Sequence, residues 1–133
     1  MLKPAGLLEA CLYARDLDAA ENFYRKVLGL EVYSRDPGRD VFFRCGQGMF
    51  LVFNPGQTSR NGNSGVPRHG ATGPGHIAFR VEDEEVEDWK AHLRAQGVEI
   101  EKELSWPGGG RSLYFRDPAG NSVELATARL WGL

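Results

Sequence analysis

The stretch "SLYFRDPAGNSVELA", Ser112–Ala126, decides how the rest of the chain is read. Asp117, Pro118, Gly120 and Asn121 are turn formers between two alternating apolar runs, so the segment reads as a β-hairpin with a longer loop. Beyond the turn, Val123 and Leu125 point to one face, and Ser122, Glu124 and Ala126 to the other. A carboxylate in the middle of such a strand must be solvated, paired or bound to a metal, because burying it alone is costly. Glu124 is therefore the first candidate functional residue.

The hairpin has a counterpart upstream. Set "FFRCGQGMFLVF" against "YFRDPAGNSVEL": Phe43 and Arg44 match Phe115 and Arg116, Gly48 matches Gly120, and Val52 falls on Glu124. Set "LLEACLYARD" against "PGHIAFRVED": Asp16 matches Asp83, and Glu9 falls on His76. Their common order, with a helix signal in each half, indicates a duplicated unit. In the first half the pattern predicts a strand over 7–14 and a helix over 17–28, capped by Asp16 or Asp18 and stopped by Gly29. Ala20, Phe23, Tyr24, Val27 and Leu28 form the apolar stripe of that helix. Strands follow near 30–35, 40–45 and 48–54. The second half predicts a strand over 75–81, a helix capped by Asp83 and ending at Gly97, with Val86, Trp89 and Leu93 as its stripe, and strands near 98–104, 111–116 and 121–127. Each half is βαβββ, an α+β arrangement. Module one spans about 6–54 and module two about 74–128. The connection over about 55–73 is rich in Gly, Ser, Asn and Pro, and is either a plain linker or a functional lid carrying Arg60, Arg68 and His69.

One face of each sheet must be covered by its helix. The alternates Leu8, Ala10, Leu12, Leu51 and Phe53 suit that face in the first half, and Ile77, Phe79, Val81, Val123 and Leu125 in the second. The opposite face then carries Glu9, Cys11, Tyr13, Phe50 and Val52, and His76, Ala78, Arg80, Ser122 and Glu124. In a pseudo-symmetric pair, Glu9 is equivalent to His76 and Val52 to Glu124. Three of those four positions carry possible metal ligands. Arg80 binds an anionic substrate or pairs with Glu9. Tyr114 alternates with Leu113 and Phe115, which suits a hydroxyl facing the cavity.

The segments "DLDAAENFYRKVLGLEV", "GPGHIAFRVED" and "LYFRDPAGNSVEL" resemble the vicinal oxygen chelate superfamily, which includes glyoxalase I, extradiol ring-cleaving dioxygenases, fosfomycin-resistance transferases and bleomycin-resistance proteins. The resemblance spans nearly the whole chain. It implies a cupped mixed sheet holding one divalent metal, with ligands from the first and last strands of each half. Those positions are Glu9, Val52, His76 and Glu124. The resemblance differs in having Glu9 where the family usually has His, and Val52 cannot ligate. It also points to Tyr114, ten residues before Glu124, as a tyrosine near bound substrate. It implies a metal-dependent lyase, isomerase or dioxygenase, or an epoxide-opening transferase. The rival class is a metal-free binding protein of the bleomycin-resistance type. A homodimer is expected, partly because the tail residues Leu130, Trp131 and Leu133 call for cover.

The chemistry of the set can be weighed on its own. One His and two carboxylates suit Mn²⁺, Fe²⁺ or Mg²⁺ more than a thiolate site would, and the expected cofactor is one divalent ion from among Mn, Fe, Mg, Ni and Zn. Three protein ligands leave positions open for substrate and water. Such a site expects a small molecule with two neighbouring oxygens, or an oxygen and an anionic group. Phe42, Phe50, Val52 and Tyr13 are expected to line the cavity. Arg80, Arg111, Arg68 or His69 would neutralise charge on the substrate.

Composition excludes other classes. A chain of 133 residues fits one compact domain. The net charge of −2 provides no general field for nucleic acid. The opening "MLKPAGLLEACLYA" is broken by Pro4 and Glu9, and reads as neither a signal peptide nor a membrane span. Cys11 and Cys45 are expected as buried free thiols of a cytoplasmic protein.

Overall fold

The computed structural model describes residues 1–60 and 65–133. The elements are β1 (Glu9–Tyr13), α1 (Leu17–Leu28), β2 (Glu31–Asp36), β3 (Asp40–Cys45), β4 (Gly48–Phe53), α2 (Pro55–Thr58), β5 (His76–Arg80), α3 (Val86–Ala95), β6 (Lys102–Ser105), β7 (Arg111–Arg116) and β8 (Ser122–Ala126). They form two compact units, Met1–Gly73 and Pro74–Leu133. Each unit holds one four-stranded mixed sheet, in the order β1-β4-β3-β2 and β5-β8-β7-β6. The two orders are identical in kind, as duplication requires. No described helix is long and apolar enough to cross a membrane.

In the first unit, α1 is capped by Asp16, whose carboxylate accepts from the Ala19 N–H at 3.0 Å. Gly29 ends it in the left-handed conformation, φ 67°. Ala20, Tyr24 and Val27 are buried. Tyr24 lies 4.8 Å from Phe50 and 5.8 Å from Phe43, ring centre to ring centre. Phe43, Phe50, Val41 and Val52 are at most 2% exposed, so they are the helix-covered face. This corrects the expected parity of β4. Glu9 pairs in register with Met49, Cys11 with Leu51 and Tyr13 with Phe53. Leu51 and Phe53 therefore share the open face with Glu9, while Phe50 and Val52 belong to the core. The cause is a one-residue difference between the hairpins. Phe43 pairs with Phe50 across a short turn, whereas Phe115 pairs with Val123 across a loop one residue longer. Leu51, not Val52, is the counterpart of Glu124.

The linker begins with structure the pattern did not predict. Asn54 caps α2 by accepting from the Gly56 N–H at 3.0 Å, with Pro55 at the first helical position. Residues 61–64 of the expected linker lie outside the described residues.

In the second unit the expected parity is observed. Val123 and Leu125 are buried, and His76 pairs with Ser122 and Ala78 with Glu124. Asp83 does not cap α3. It opens one 3₁₀ turn, Asp83–Glu85, ahead of the helix, which has no side-chain cap. The acidic residues there still suit the helix dipole. Val86 and Leu93 are buried as predicted, with Trp89 half-buried. Both cysteines are free, but Cys11 is exposed on an edge strand rather than buried.

Candidate functional site

The turn quoted at the outset positions the site of the second unit. Asp117 accepts from the Ala119 and Asn121 N–H groups at 3.0 and 2.8 Å, and from the Asn121 side chain at 3.0 Å. The Asn121 side-chain oxygen, Oδ1, in turn accepts from the Gly75 N–H at 2.7 Å. The hairpin loop thus grips the residue before β5 and sets the parallel register that brings His76 beside β8.

His76 and Glu124 then meet, with Nε2 and Oε1 3.3 Å apart. The other ring nitrogen, Nδ1, lies 3.0 Å from the Ser122 carbonyl oxygen. A carbonyl can only accept, so Nδ1 carries a proton and donates. In the neutral ring Nε2 is then a bare acceptor facing a carboxylate oxygen. Two acceptors at that distance require a cation between them, either a proton or a metal. A histidine that donates its second nitrogen to a carbonyl is also the usual arrangement of a metal-ligating imidazole. The donor set therefore fits a divalent ion.

Glu124 is 7% exposed. Its Oε2 accepts from the Ser112 hydroxyl at 2.5 Å, and the Ser112 oxygen accepts from the Trp106 indole N–H at 2.8 Å. One oxygen is thus fixed, and the other is left to face His76. Neither Ser112 nor Trp106 was a sequence-level candidate. Ser112 shares the parity of Tyr114 on β7, a signal that was available; Trp106 lies in a loop where periodicity is silent.

Tyr114 is the cross-strand partner of Glu124, and its ring stacks with His76 at 6.3 Å and 23°. Partial burial, and then the adjacent carboxylate, hold its phenol above the usual pKa. It is a proton-bearing hydroxyl at neutral pH. Arg80 is exposed on β5, without a carboxylate partner among the described residues. Arg111 does not face this site. It shares the parity of Leu113 and Phe115, and binds Glu87 of α3 and Glu103 of β6, each at 2.7 Å. Those bonds hold both carboxyls below their usual pKa.

The first unit carries a cavity of about 930 Å³ on its open face. Glu9, Phe42, Met49, Leu51, Phe53 and His69 are among its lining residues. Phe50 and Val52, expected there, are not, because they pack under α1. Tyr13 stands beside the cavity, its hydroxyl 2.6 Å from His69 Nδ1. Within neither unit do three or more His, Cys, Asp or Glu side chains converge among the described residues.

A family model described as the Glyoxalase/Bleomycin resistance protein/Dioxygenase superfamily matches residues 6–125. The chain is 30% identical over 128 residues to the fosfomycin resistance protein FosX of Listeria monocytogenes, covering 95% of this chain and 92% of that protein. It superposes on the crystal structure of a lactoylglutathione lyase from Agrobacterium tumefaciens with a TM-score of 0.94 and 48% identity, covering 98% of each chain. It shares its fold with a FosX variant from L. monocytogenes complexed with Mn(II) and 1S,2S-dihydroxypropylphosphonic acid, with a TM-score of 0.71 and 23% identity over 98% of each chain.

Proposed function

The chain belongs to the glyoxalase, bleomycin-resistance and dioxygenase superfamily, and from that premise we propose that it is a mononuclear divalent-metal enzyme acting on a small oxygen-chelating substrate. The observation that carries the reading is the His76–Glu124 pair, two acceptors 3.3 Å apart whose remaining polar atoms are already engaged. Glu9, equivalent to His76 in the other unit, is the proposed third ligand. Mn(II) is the metal in the FosX complex, and the oxygen-rich donor set suits it. A bound divalent ion supplies Lewis acidity toward a substrate oxygen.

The chain's own residues supply the rest. The Ser122 carbonyl orients the imidazole, and Ser112 orients the carboxylate. Tyr114 presents a protonated hydroxyl that can donate to a substrate oxygen. Arg80 offers a positive charge on the same face, with no carboxylate partner among the described residues. The test is metal analysis of protein purified without chelators. About one divalent ion per chain is expected, lost in His76→Ala with the fold retained. Wild type that takes up no Mn²⁺, Fe²⁺, Co²⁺, Ni²⁺ or Zn²⁺ in calorimetry would falsify the reading.

One observation favours the rival, a metal-free protein that sequesters an apolar compound: the first unit's cavity is walled largely by apolar side chains. Chelator-treated protein that binds its ligand as tightly as metal-loaded protein decides for that rival.

The proposed assembly is a cytoplasmic homodimer. β1 and β5 are edge strands of their sheets, and an edge exposes unpaired backbone groups. Leu7, Leu8, Trp131 and Leu133 are all more than 70% exposed. Light scattering at micromolar concentration should give twice the chain mass of 14.7 kDa, and a mass of one chain throughout rules it out.

A further inference from the structure

We propose that Trp106 is a positioning residue for Glu124, held in place by the C-terminal turn of the chain. The inference rests on the metal reading only where metal affinity is the readout.

The hydrogen bonds run in one direction. The Trp106 indole N–H donates to the Ser112 oxygen at 2.8 Å, and the Ser112 hydroxyl donates to Glu124 Oε2 at 2.5 Å. An indole can only donate, and a serine hydroxyl has one proton to give. Ser112 is fully buried, and the Tyr114 phenol faces it as well as Glu124. Without a donor upon it, the hydroxyl is free to turn its proton to the phenol oxygen instead. The indole fills one acceptor direction of the Ser112 oxygen and leaves the proton for the carboxylate. Hydrogen bonds in series also strengthen one another. Trp106 thus acts on Glu124 through Ser112.

The indole needs support of its own. The connection from β6 to β7 runs from Trp106 to Gly110, with Gly108, Gly109 and Gly110 in succession. Glycine loses more freedom on folding than any other residue, so such a loop is ordered only where something holds it. Two internal bonds close it, Trp106 N–H to the Gly110 carbonyl and Gly109 N–H to the Trp106 carbonyl, each at 3.0 Å.

The C-terminal turn supplies the rest. Arg111, where β7 begins, is bonded to Thr127 in both directions. Its N–H donates to the Thr127 hydroxyl oxygen at 2.9 Å, and the Thr127 N–H donates to its carbonyl at 3.1 Å. Beyond Thr127, which is 1% exposed, the chain makes a 3₁₀ turn over Ala128–Trp131. That turn lies against the loop. A Cβ at Gly110, where φ is 98°, would stand 2.7 Å from the Leu130 nitrogen, and one at Gly109 would meet the Arg129 guanidinium at 3.0 Å. The backbone of the loop therefore rests on the turn with no room for a side chain at Gly110, and the position of Trp106 depends on both.

The test uses the full chain. The three tryptophans give three indole N–H signals in a nitrogen–proton NMR spectrum, and Trp106→Phe identifies the one at issue. In metal-free protein, Glu124→Gln and Ser112→Ala should each shift that signal, and so should Gly110→Ala and Thr127→Val. In Mn²⁺ titrations Trp106→Phe should weaken binding by roughly 10–100-fold, with an unchanged circular dichroism spectrum. Benzothienylalanine in place of Trp106 keeps the bicyclic shape, lacks the N–H, and should weaken binding equally. In a Ser112→Ala background the Trp106→Phe change should have no further effect on Mn²⁺ affinity, since the indole acts only through the hydroxyl. Full affinity in either position-106 variant, or a further loss in the double variant, overturns the positioning role. An indole signal indifferent to Glu124→Gln overturns it without reference to metal. A chain that takes up no Mn²⁺ loses the metal reading, and this inference is then decided by that signal. A signal indifferent to both Gly110→Ala and Thr127→Val overturns the part given to the C-terminal turn.

Discussion

Leu51 and Glu124 occupy the same register position in the two units, opposite Cys11 and Ala78 on one side and Phe42 and Tyr114 on the other. One unit puts an apolar floor where the other puts a carboxylate. The contrast extends across the face: Met49 against Ser122, Phe42 against Tyr114, Phe53 against Ala126, Glu9 against His76. The second unit surrounds its carboxylate with hydroxyls and an imidazole. The first offers an apolar cavity floor with Glu9 at one end. One backbone plan thus carries two differently furnished open faces, because the covered faces remain apolar in both units while the open faces have diverged.

The largest effect tests which face is which. Phe50 is 2% exposed and packed against Tyr24. Phe50→Ala should cost about 3–5 kcal/mol of stability, as for other buried aromatics. Denaturant unfolding measures this. A mild loss of stability with a large loss of ligand binding would restore the parity in which Phe50 lines the cavity.

The next effect addresses the metal end. Removing a partner outside the ligand shell typically costs roughly 10–100-fold in metal affinity, so removing a ligand itself should exceed about 100-fold. His76→Ala is expected at that level by Mn²⁺ titration, and Leu51→Ala is expected to leave Mn²⁺ affinity nearly unchanged. Similar losses in both would erase the division of labour between the units.

Ser112→Ala probes the fixed carboxylate. It removes the hydroxyl that Glu124 Oε2 accepts from, and leaves the Trp106 N–H without its acceptor. Metal affinity should fall by roughly 10–100-fold, and stability by about 1–3 kcal/mol for the buried groups left unpaired. Ser112→Thr retains a hydroxyl and should recover most of the affinity. A threonine variant as weak as the alanine one shows that packing, not the hydrogen bond, was lost.

The α+β plan, the helix cap at Asp16, the stop at Gly29 and the meeting of His76 with Glu124 were legible in the sequence, since each rests on local chemistry or strand alternation. The parity of β4 was not. Matching two hairpins without a gap assumes loops of equal length, and the Gly46–Gln47 turn is one residue shorter in effect than the Asp117–Asn121 loop. One residue inverts every assignment on a strand. Arg111 was misassigned for a related reason. A lone arginine at the start of a strand reads as substrate-facing until α3 places Glu87 beneath it. The Trp106–Ser112–Glu124 chain was beyond reach, because hydrogen bonds between a loop and two strands leave no periodic trace.

The smallest effect belongs to that arginine. Glu87 and Glu103 share the Arg111 guanidinium, and Lys90 adds a bond to Glu103 at 3.0 Å. The arginine bond is the main cause that lowers both carboxyls below their ordinary value of 4.5. A carboxyl lowered on folding contributes stability above its unfolded pKa, and that contribution disappears as pH falls through the folded value. Replacing both by glutamine should therefore lower the melting temperature slightly at pH 7 and leave it unchanged near pH 2. Both carboxylates are at the surface, so the neutral-pH difference should shrink further in high salt. Melting curves at the two pH values, with and without added salt, measure it. A difference that persists at pH 2 would mean that Glu87 and Glu103 act through packing, and that Arg111 is not tied to α3 by charge.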